Sequence, residues 1–310
     1  MTSPKQQHYV PHCYLREWVD PDTPAGQEPY VWIFDHKGRN RKKKSPKNIF
    51  TGTDLYTLNV SGKGKNYSIE QTLSRLESEY AIIFRAKINN KLPLSEYEHI
   101  ILCAFVSTML QRTLRHKNTL DQFFDEIIGM TKSLERQHNV QPKQSLVLER
   151  LKEDSHKLGI IQLLPDLTQL LMQMSVAFLC AEESNSKFIT SDDPCNLFNP
   201  DLQWQKFYGP GLGQKRVELT LPLSPNVLLC MSWSNLKGYI RWHRKRVDES
   251  NRTVARHCYE YVVSHRPRLK RLWFSKYPRN IFFILRIFIH KFKTWYRDRI
   301  SYSFFNARRK

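Results

Sequence analysis

The chain has 310 residues, 40% of them hydrophobic and 25% charged, with a formal net charge of +20. Such a composition excludes a disordered chain and allows one large domain or two small ones. The charge excess points to an anionic partner, whether nucleic acid, a phosphate-bearing ligand or an anionic membrane surface, and carries no information on fold.

In chain order, Met1 to His8 lacks the apolar core of a signal peptide, and no run approaches the ~20 apolar residues of a membrane span. A cytoplasmic protein is expected. Pro11 suits the first position of a short helix. Tyr14, Leu15 and Trp18 then share an apolar face, while His12 and Arg16 lie four apart on another. His8 sits just before the helix start, where anions are favoured. A docked aromatic helix with solvated histidines accounts for the same pattern. Tyr30–Asp35 reads as a strand, Lys37–Lys44 as a basic loop that either grips phosphates or is simply solvated, and Asp54–Leu58 as a return strand.

Ser68 with Gln71, and Ser95 with Glu98, are capping boxes that open two helices. The first keeps helical spacing from Ile69 to about Ile88. The second carries Ile100, Ile101, Ala104, Phe105, Thr108 and Leu110 and is apolar nearly all round. Arg112, Arg115 and Lys117 then read as cations at its C-terminal end, complementing the helix dipole. Phe123–Met130 continue a helical pattern, Pro142 marks a loop, and Leu146–Leu158 reads as a weaker helix. Leu163–Ala181 reads as a strongly apolar helix with Leu170, Leu171, Met174, Ala177 and Phe178 on its buried side.

Lys187–Pro194 begins as an apolar strand and stops in a polar turn, where Thr, Ser and Asp side chains bond their own backbone and Pro194 ends the ladder. Val217–Leu221 and Val227–Met231 read as strands joined by the Pro222–Asn226 turn, and Val247–Val263 as a helix. Residues 266–310 hold 14 Lys and Arg against a single Asp, which is 13 of the 20 excess charges. Within 279–299, Ile281, Ile284, Leu285, Phe288, Phe292 and Trp295 trace a helical stripe punctuated by Arg and Lys. That describes a basic amphipathic helix suited to an anionic membrane or nucleic acid, or to packing on its own body. The six cysteines have no zinc-knuckle spacing, and reduced thiols are expected.

Strands so far apart in sequence argue against alternating β-α units. The expected architecture is α+β and helix-rich. It has a small, mainly antiparallel sheet over 30–35, 54–58, 187–190, 217–221 and 227–231. A single domain is expected over 1–265, followed by a basic amphipathic extension over 266–310.

His8-Tyr9-Val10-Pro11 with Tyr14-Leu15, then Ser45-Pro46-Lys47-Asn48 and Asp54-Leu55-Tyr56-Thr57, resemble a bacterial family catalogued as domain of unknown function 4238. Arg112-Thr113, Ile189 to Pro194 and Pro222-Leu223-Ser224-Pro225 are similar to its later motifs, in the same order, so the resemblance covers roughly residues 6 to 265. This chain has Leu114 where the family commonly has Pro, and Asp193 where it commonly has Asn. The resemblance implies a shared site and brings no reaction with it.

The polar members of these motifs suit the handling of a phosphate. His8 would move protons near neutral pH, Arg112 would bind phosphate and stabilise developing charge, and Asp192 would orient the imidazole or hold a metal. These three are the candidate catalytic residues, with His12, Arg16, Thr190 and Ser191 as candidate substrate contacts. No P-loop, dinucleotide fingerprint, zinc-protease motif or nucleophile elbow is present. A nuclease or phosphotransferase is one reading. The rival is a non-catalytic nucleic-acid- or membrane-surface-binding protein in which the same groups form a buried polar network. An enzyme would bring His8, Arg112 and Asp192 into one open pocket, and a network would bury and satisfy them. The sequence names no substrate, cofactor, metal or oligomeric state.

Overall fold

The computed structural model describes residues 6–60, 64–181, 186–203 and 209–275. The chain opens with β1 (Gln6–His8) and the single turn α1 (His12–Leu15), which continues as a 3-10 turn over Arg16–Trp18. Short strands follow: β2 (Val31–Asp35), β3 (Lys42–Lys44), β4 (Thr51–Thr53), β5 (Leu58–Val60) and β6 (Gly64–Asn66). The helical block is α2 (Ser68–Ile83), α3 (Glu96–Gln111), α4 (Leu114–Gln137), α5 (Lys143–Gln162) and α6 (Leu164–Met172). Then come β7 (Ser175–Cys180), β8 (Thr190–Ser191), β9 (Asn196–Phe198), β10 (Glu218–Ser224), β11 (Val227–Ser232), β12 (Gly238–Arg241), α7 (Arg244–His257) and β13 (Tyr261–Ser264). The protein is α+β. Among the described residues no helix is long and apolar enough to cross a membrane.

The strands form two main sheets rather than the one expected. One has the order β12-β7-β11-β10-β9, and only its β12–β7 pair is parallel. The other has the order β3-β2-β13-β8 and is antiparallel throughout. The expected hairpin at Pro222–Asn226 is β10–β11, with Leu221 opposite Leu229. The capping box at Ser95 is formed in full, the Ser95 hydroxyl accepting from the Glu98 amide while the Glu98 carboxylate accepts from the Ser95 amide.

Four expected elements differ, each for a local reason. The apolar run 163–181 is helix only to Met172. It turns at Gln173–Met174 and becomes β7, an inner strand with Ala177 to Cys180 all buried. A strand buried on both faces is as continuously apolar as a buried helix, so periodicity does not separate the two. The run 247–263 likewise leaves the helix at His257 and ends as β13. Residues 54–57 form a turn, with Asp54 at φ 51° and the Thr57 amide donating to the Asp54 carbonyl. The strand expected over 187–190 is reduced to Thr190–Ser191, pairing with β13. Its first residues bond instead to a helix side chain: Ile189 N–H donates to Asn251 Oδ1 (3.0 Å), and Asn251 Nδ2 donates to the Lys187 carbonyl (2.7 Å).

The main core lies under α1, α3 and the five-stranded sheet and includes Tyr14, Leu15, Trp18, Phe105, Phe178 and Leu229. A second cluster joins Ile189, Val254, Val262 and Trp273. Trp273 therefore packs the segment after β13 onto α7. Phe274 lies against the turn between β2 and β3, where Gly38 has φ +70° and an added Cβ would stand 2.6 Å from the Phe274 ring. The described residues up to Phe274 form one compact unit. The amphipathic helix expected over 279–299 lies outside the described residues.

Candidate functional site

The residue before a proline is held extended, so Val10-Pro11 breaks β1 from α1. Pro11 sits at the N-cap position (φ −54°, ψ 138°) rather than inside the helix. The turn that follows buries Tyr14, Leu15 and Trp18 completely and leaves His12 half-buried and Arg16 exposed. β1 pairs with β4, placing His8 opposite Thr51. The His8 and His12 rings then face one another, centroids 5.8 Å apart. His8 Nε2 lies 3.2 Å from the Pro46 carbonyl. Nε2 is therefore the protonated nitrogen, which leaves Nδ1 as the acceptor.

Burial lowers the pKa of His8, and Arg112 lowers it further against the pull of the Pro46 carbonyl and Glu77. Burial also lowers that of His12, helped by His8, Arg16 and Lys47. Both shifts favour the neutral ring. Arg16 and Lys47 are exposed beside them.

Arg112 lies beneath this pair and is 2% exposed. The structure ends α3 at Gln111 and starts α4 at Leu114, with Thr113 capping it by accepting from the His116 amide. Arg112 is thus the C-cap of one helix, while Arg115 and Lys117 stand in the first turn of the next. The run is a junction between two helices and not the C-terminus of one. The Arg112 guanidinium donates to Glu77 Oε1 (2.6 Å), to the His8 carbonyl and to the Tyr56 hydroxyl (3.4 Å). Burial opposes its charge, but Tyr56 and Glu77 outweigh burial and raise its pKa. The Tyr56 hydroxyl itself donates to the His8 carbonyl at 3.2 Å, and the Tyr56 amide donates to Gln7 Oε1 at 2.6 Å. Arg112 therefore fastens the β1 segment to α2 and α3.

The Thr190–Pro194 turn is equally engaged. Thr190 and Ser191 are fully buried. The Thr190 hydroxyl bonds the Tyr14 hydroxyl, and the latter donates to the Pro222 carbonyl (2.6 Å). Ser191 Oγ accepts from the Asp193 amide and donates to the Asp193 carbonyl. Asp192 accepts three backbone amides, from Tyr259 (2.8 Å), Glu260 (2.7 Å) and Tyr261 (3.0 Å). Burial raises its pKa to about 6 although those amides oppose it. Asp193 bonds Arg115 Nε, and Arg115 also donates to the His257 and Cys258 carbonyls.

The structure thus brings His8, His12 and Arg112 together, with Arg16 beside them, and stitches Thr190 to α1 through Tyr14. It does not pair Asp192 with either His8 or Arg112; every bond of that carboxylate goes to the α7–β13 connection. Glu77 carries no signal in the sequence, and Tyr56 and Arg115 stand there only as members of a motif and of a cationic run. Glu77 stands on α2 with no motif around it, whereas Thr113 before Leu114 was a readable helix start. The six cysteines form no disulfide with one another, five being buried and Cys13 partly so. Burial pushes the Cys13, Cys103, Cys230 and Cys258 thiols up to about 12. Among the described residues no three His, Cys, Asp or Glu side chains gather as a metal shell.

These features define a class: a helix-rich α+β protein whose N-terminal segment is riveted to its helices by a buried arginine. Residues 6–268 match the family described as Protein of unknown function (DUF4238), and the chain belongs to that family. No curated protein and no solved structure matches it.

Proposed function

We propose that this family member is a phosphate-handling enzyme acting on nucleic acid at the His8–His12 face. The observation that carries this reading is a pair of adjacent histidine rings, centroids 5.8 Å apart, flanked by exposed Arg16 and Lys47. With Nε2 engaged by Pro46, His8 Nδ1 would take the proton from the attacking hydroxyl. A new P–O bond forms as the old one breaks, and His12 gives its proton to the leaving oxygen. Arg16 and Lys47 would neutralise the phosphate. Arg112 holds the His8 backbone in place and is a positioning residue here. Asp192, Thr190 and Ser191 support the fold rather than the substrate.

One ring must be protonated and the other neutral, while both pKa values are lowered from 6.5. Cleavage should therefore peak on the acid side of 6.5. The test is incubation with labelled RNA and DNA, with and without Mg²⁺ or Mn²⁺. His12→Gln is expected to lower the rate by about 10²–10⁴-fold. A chain that leaves every substrate intact, or a His12→Gln variant at full rate, would rule the reading out.

A second reading has its own support. The edge strand β3 exposes Lys42, Lys43 and Lys44, with Lys43 4.4 Å from the Tyr30 ring centroid and Arg41 4.9 Å from that of Trp32. Cations interleaved with aromatics suit a non-catalytic nucleic-acid-binding face. Lys42→Gln with Lys44→Gln would then weaken binding in a salt-dependent way and leave cleavage unchanged. The basic segment 279–299 extends the same proposal to an anionic membrane surface, with the protein cytoplasmic and peripheral to that membrane. Deletion of 266–310 should reduce binding to anionic liposomes or to nucleic acid.

A further inference from the structure

On the α7 side of the four-stranded sheet is a cavity of about 360 Å³. Four cations line it, Lys187, Arg266, Arg268 and Lys270, together with His265 and Trp273. Among the described residues no carboxylate does. It shares no residue with the His8–His12 face.

The cations differ in how they are held. Lys270 Nζ is fixed by Asp248 (2.7 and 2.9 Å) and the Ser186 hydroxyl (2.7 Å). Arg266 pairs with Asp22 and stands 3.9 Å from Asp20. Those carboxylates balance their partners without entering the cavity lining. Lys187 bonds only the Ala181 carbonyl, at 3.2 Å, and Arg268 has no partner among the described residues. Among the described residues two positive charges are therefore left without a counter-charge, beside two cations already locked in position. His265 adds a buried Nδ1 with no hydrogen-bond partner. Burial, with Arg266 and Lys187, lowers its pKa to about 4, so the ring is neutral and its Nδ1–H tautomer is free to donate.

We propose that this cavity binds a phosphomonoester. A terminal phosphate carries about −1.5 to −2 charge at pH 7, which matches the two uncompensated cations, and its three oxygens suit convergent donors. The volume suits a small phosphorylated molecule rather than a large cofactor. A carboxylate would leave one cation unbalanced. The inference does not rest on the histidine pair.

The test is calorimetric titration of the full chain with inorganic phosphate and with adenosine 5′-monophosphate, at constant ionic strength. One saturable site is expected. Arg268→Gln should weaken it about tenfold, and Arg268→Gln with Lys187→Gln should abolish it. Arg268 is exposed and has no partner among the described residues, so its variant should melt with the wild type and cleave nucleic acid at the wild-type rate. Equal affinity for the two probes would assign recognition to the phosphate alone. Tighter nucleotide binding would add the wall of the cavity near Trp273. Absence of binding by both probes, or a loss of less than threefold in Arg268→Gln, would overturn the proposal while leaving the histidine reading untouched.

Discussion

The His8–His12 face and the Thr190–Pro194 turn use similar residues in opposite ways. Both are short polar stretches at the end of a strand, and both were candidate chemistry in the sequence. In the turn, every carboxylate and hydroxyl bonds the fold itself: Asp192 to three amides, Asp193 to Arg115, Thr190 to Tyr14. In the N-terminal segment the backbone is what is bonded, through the His8 carbonyl and Arg112, while the rings stay half-open. Fixing the backbone and leaving the side chain available is the arrangement a working site needs. Fixing the side chain itself is the arrangement of a joint.

Changes to groups that fix the fold, Arg112 included, should cost stability, and changes to the half-open histidine rings should not. The largest effect is expected for Arg112→Leu. It strands the Glu77 carboxylate and the His8 carbonyl, and should cost about 3–5 kcal/mol in urea unfolding. An Arg112→Leu protein as stable as wild type would erase the distinction. Next is His156, 7% exposed, whose Nε2 caps the Gln111 carbonyl at the end of α3 at 2.9 Å. Burial lowers its pKa to about 4. The unfolded chain thus takes up this proton first, and the stability is present above 6.5 and lost as pH falls through about 4. The term is worth about 3 kcal/mol. Replacing it by Gln should flatten the fall of Tm between those limits. Asp192 acts in the opposite sense: its raised pKa adds stability at low pH that is lost as pH rises through about 6.

Asp192→Asn should cost about 2–3 kcal/mol, because an amide nitrogen replaces one acceptor facing backbone N–H groups. Thermal melts at pH 7 would show it, and any residual activity should track the folded fraction. The smallest effect is expected for His12→Gln, within about 0.5 kcal/mol of wild type. A large loss there would place His12 among the groups that fix the fold and remove it from chemistry.

Much of this was legible beforehand. The Ser95 capping box, the β10–β11 hairpin and the buried face of Tyr14, Leu15 and Trp18 follow from local rules and were read correctly. β7 and β13 were not, because inner strands lose the alternation that marks a half-buried one. Asp192 was recognised as aimed, but its target was out of reach. Its partners are backbone amides at 259–261, which carry no side-chain signature. Glu77 was invisible for a related reason: an acid on a helix gives no sign of the distant arginine it will meet.

The pairing of β2 with β13, Trp32 opposite Ser264, has a consequence for how the protein is made. β2 leaves the ribosome long before β13 and must wait for nearly the whole domain before its neighbour exists. Until Tyr261–Ser264 is synthesised, one edge of β2 is open and Asp192 has no amides to receive. A ribosome stalled short of Tyr261 should display a chain that proteases cut readily, and one paused after the exit of Phe274 a chain that resists. The sheet closes only once residues 261–264 have left the ribosome, by joining the two ends of the domain.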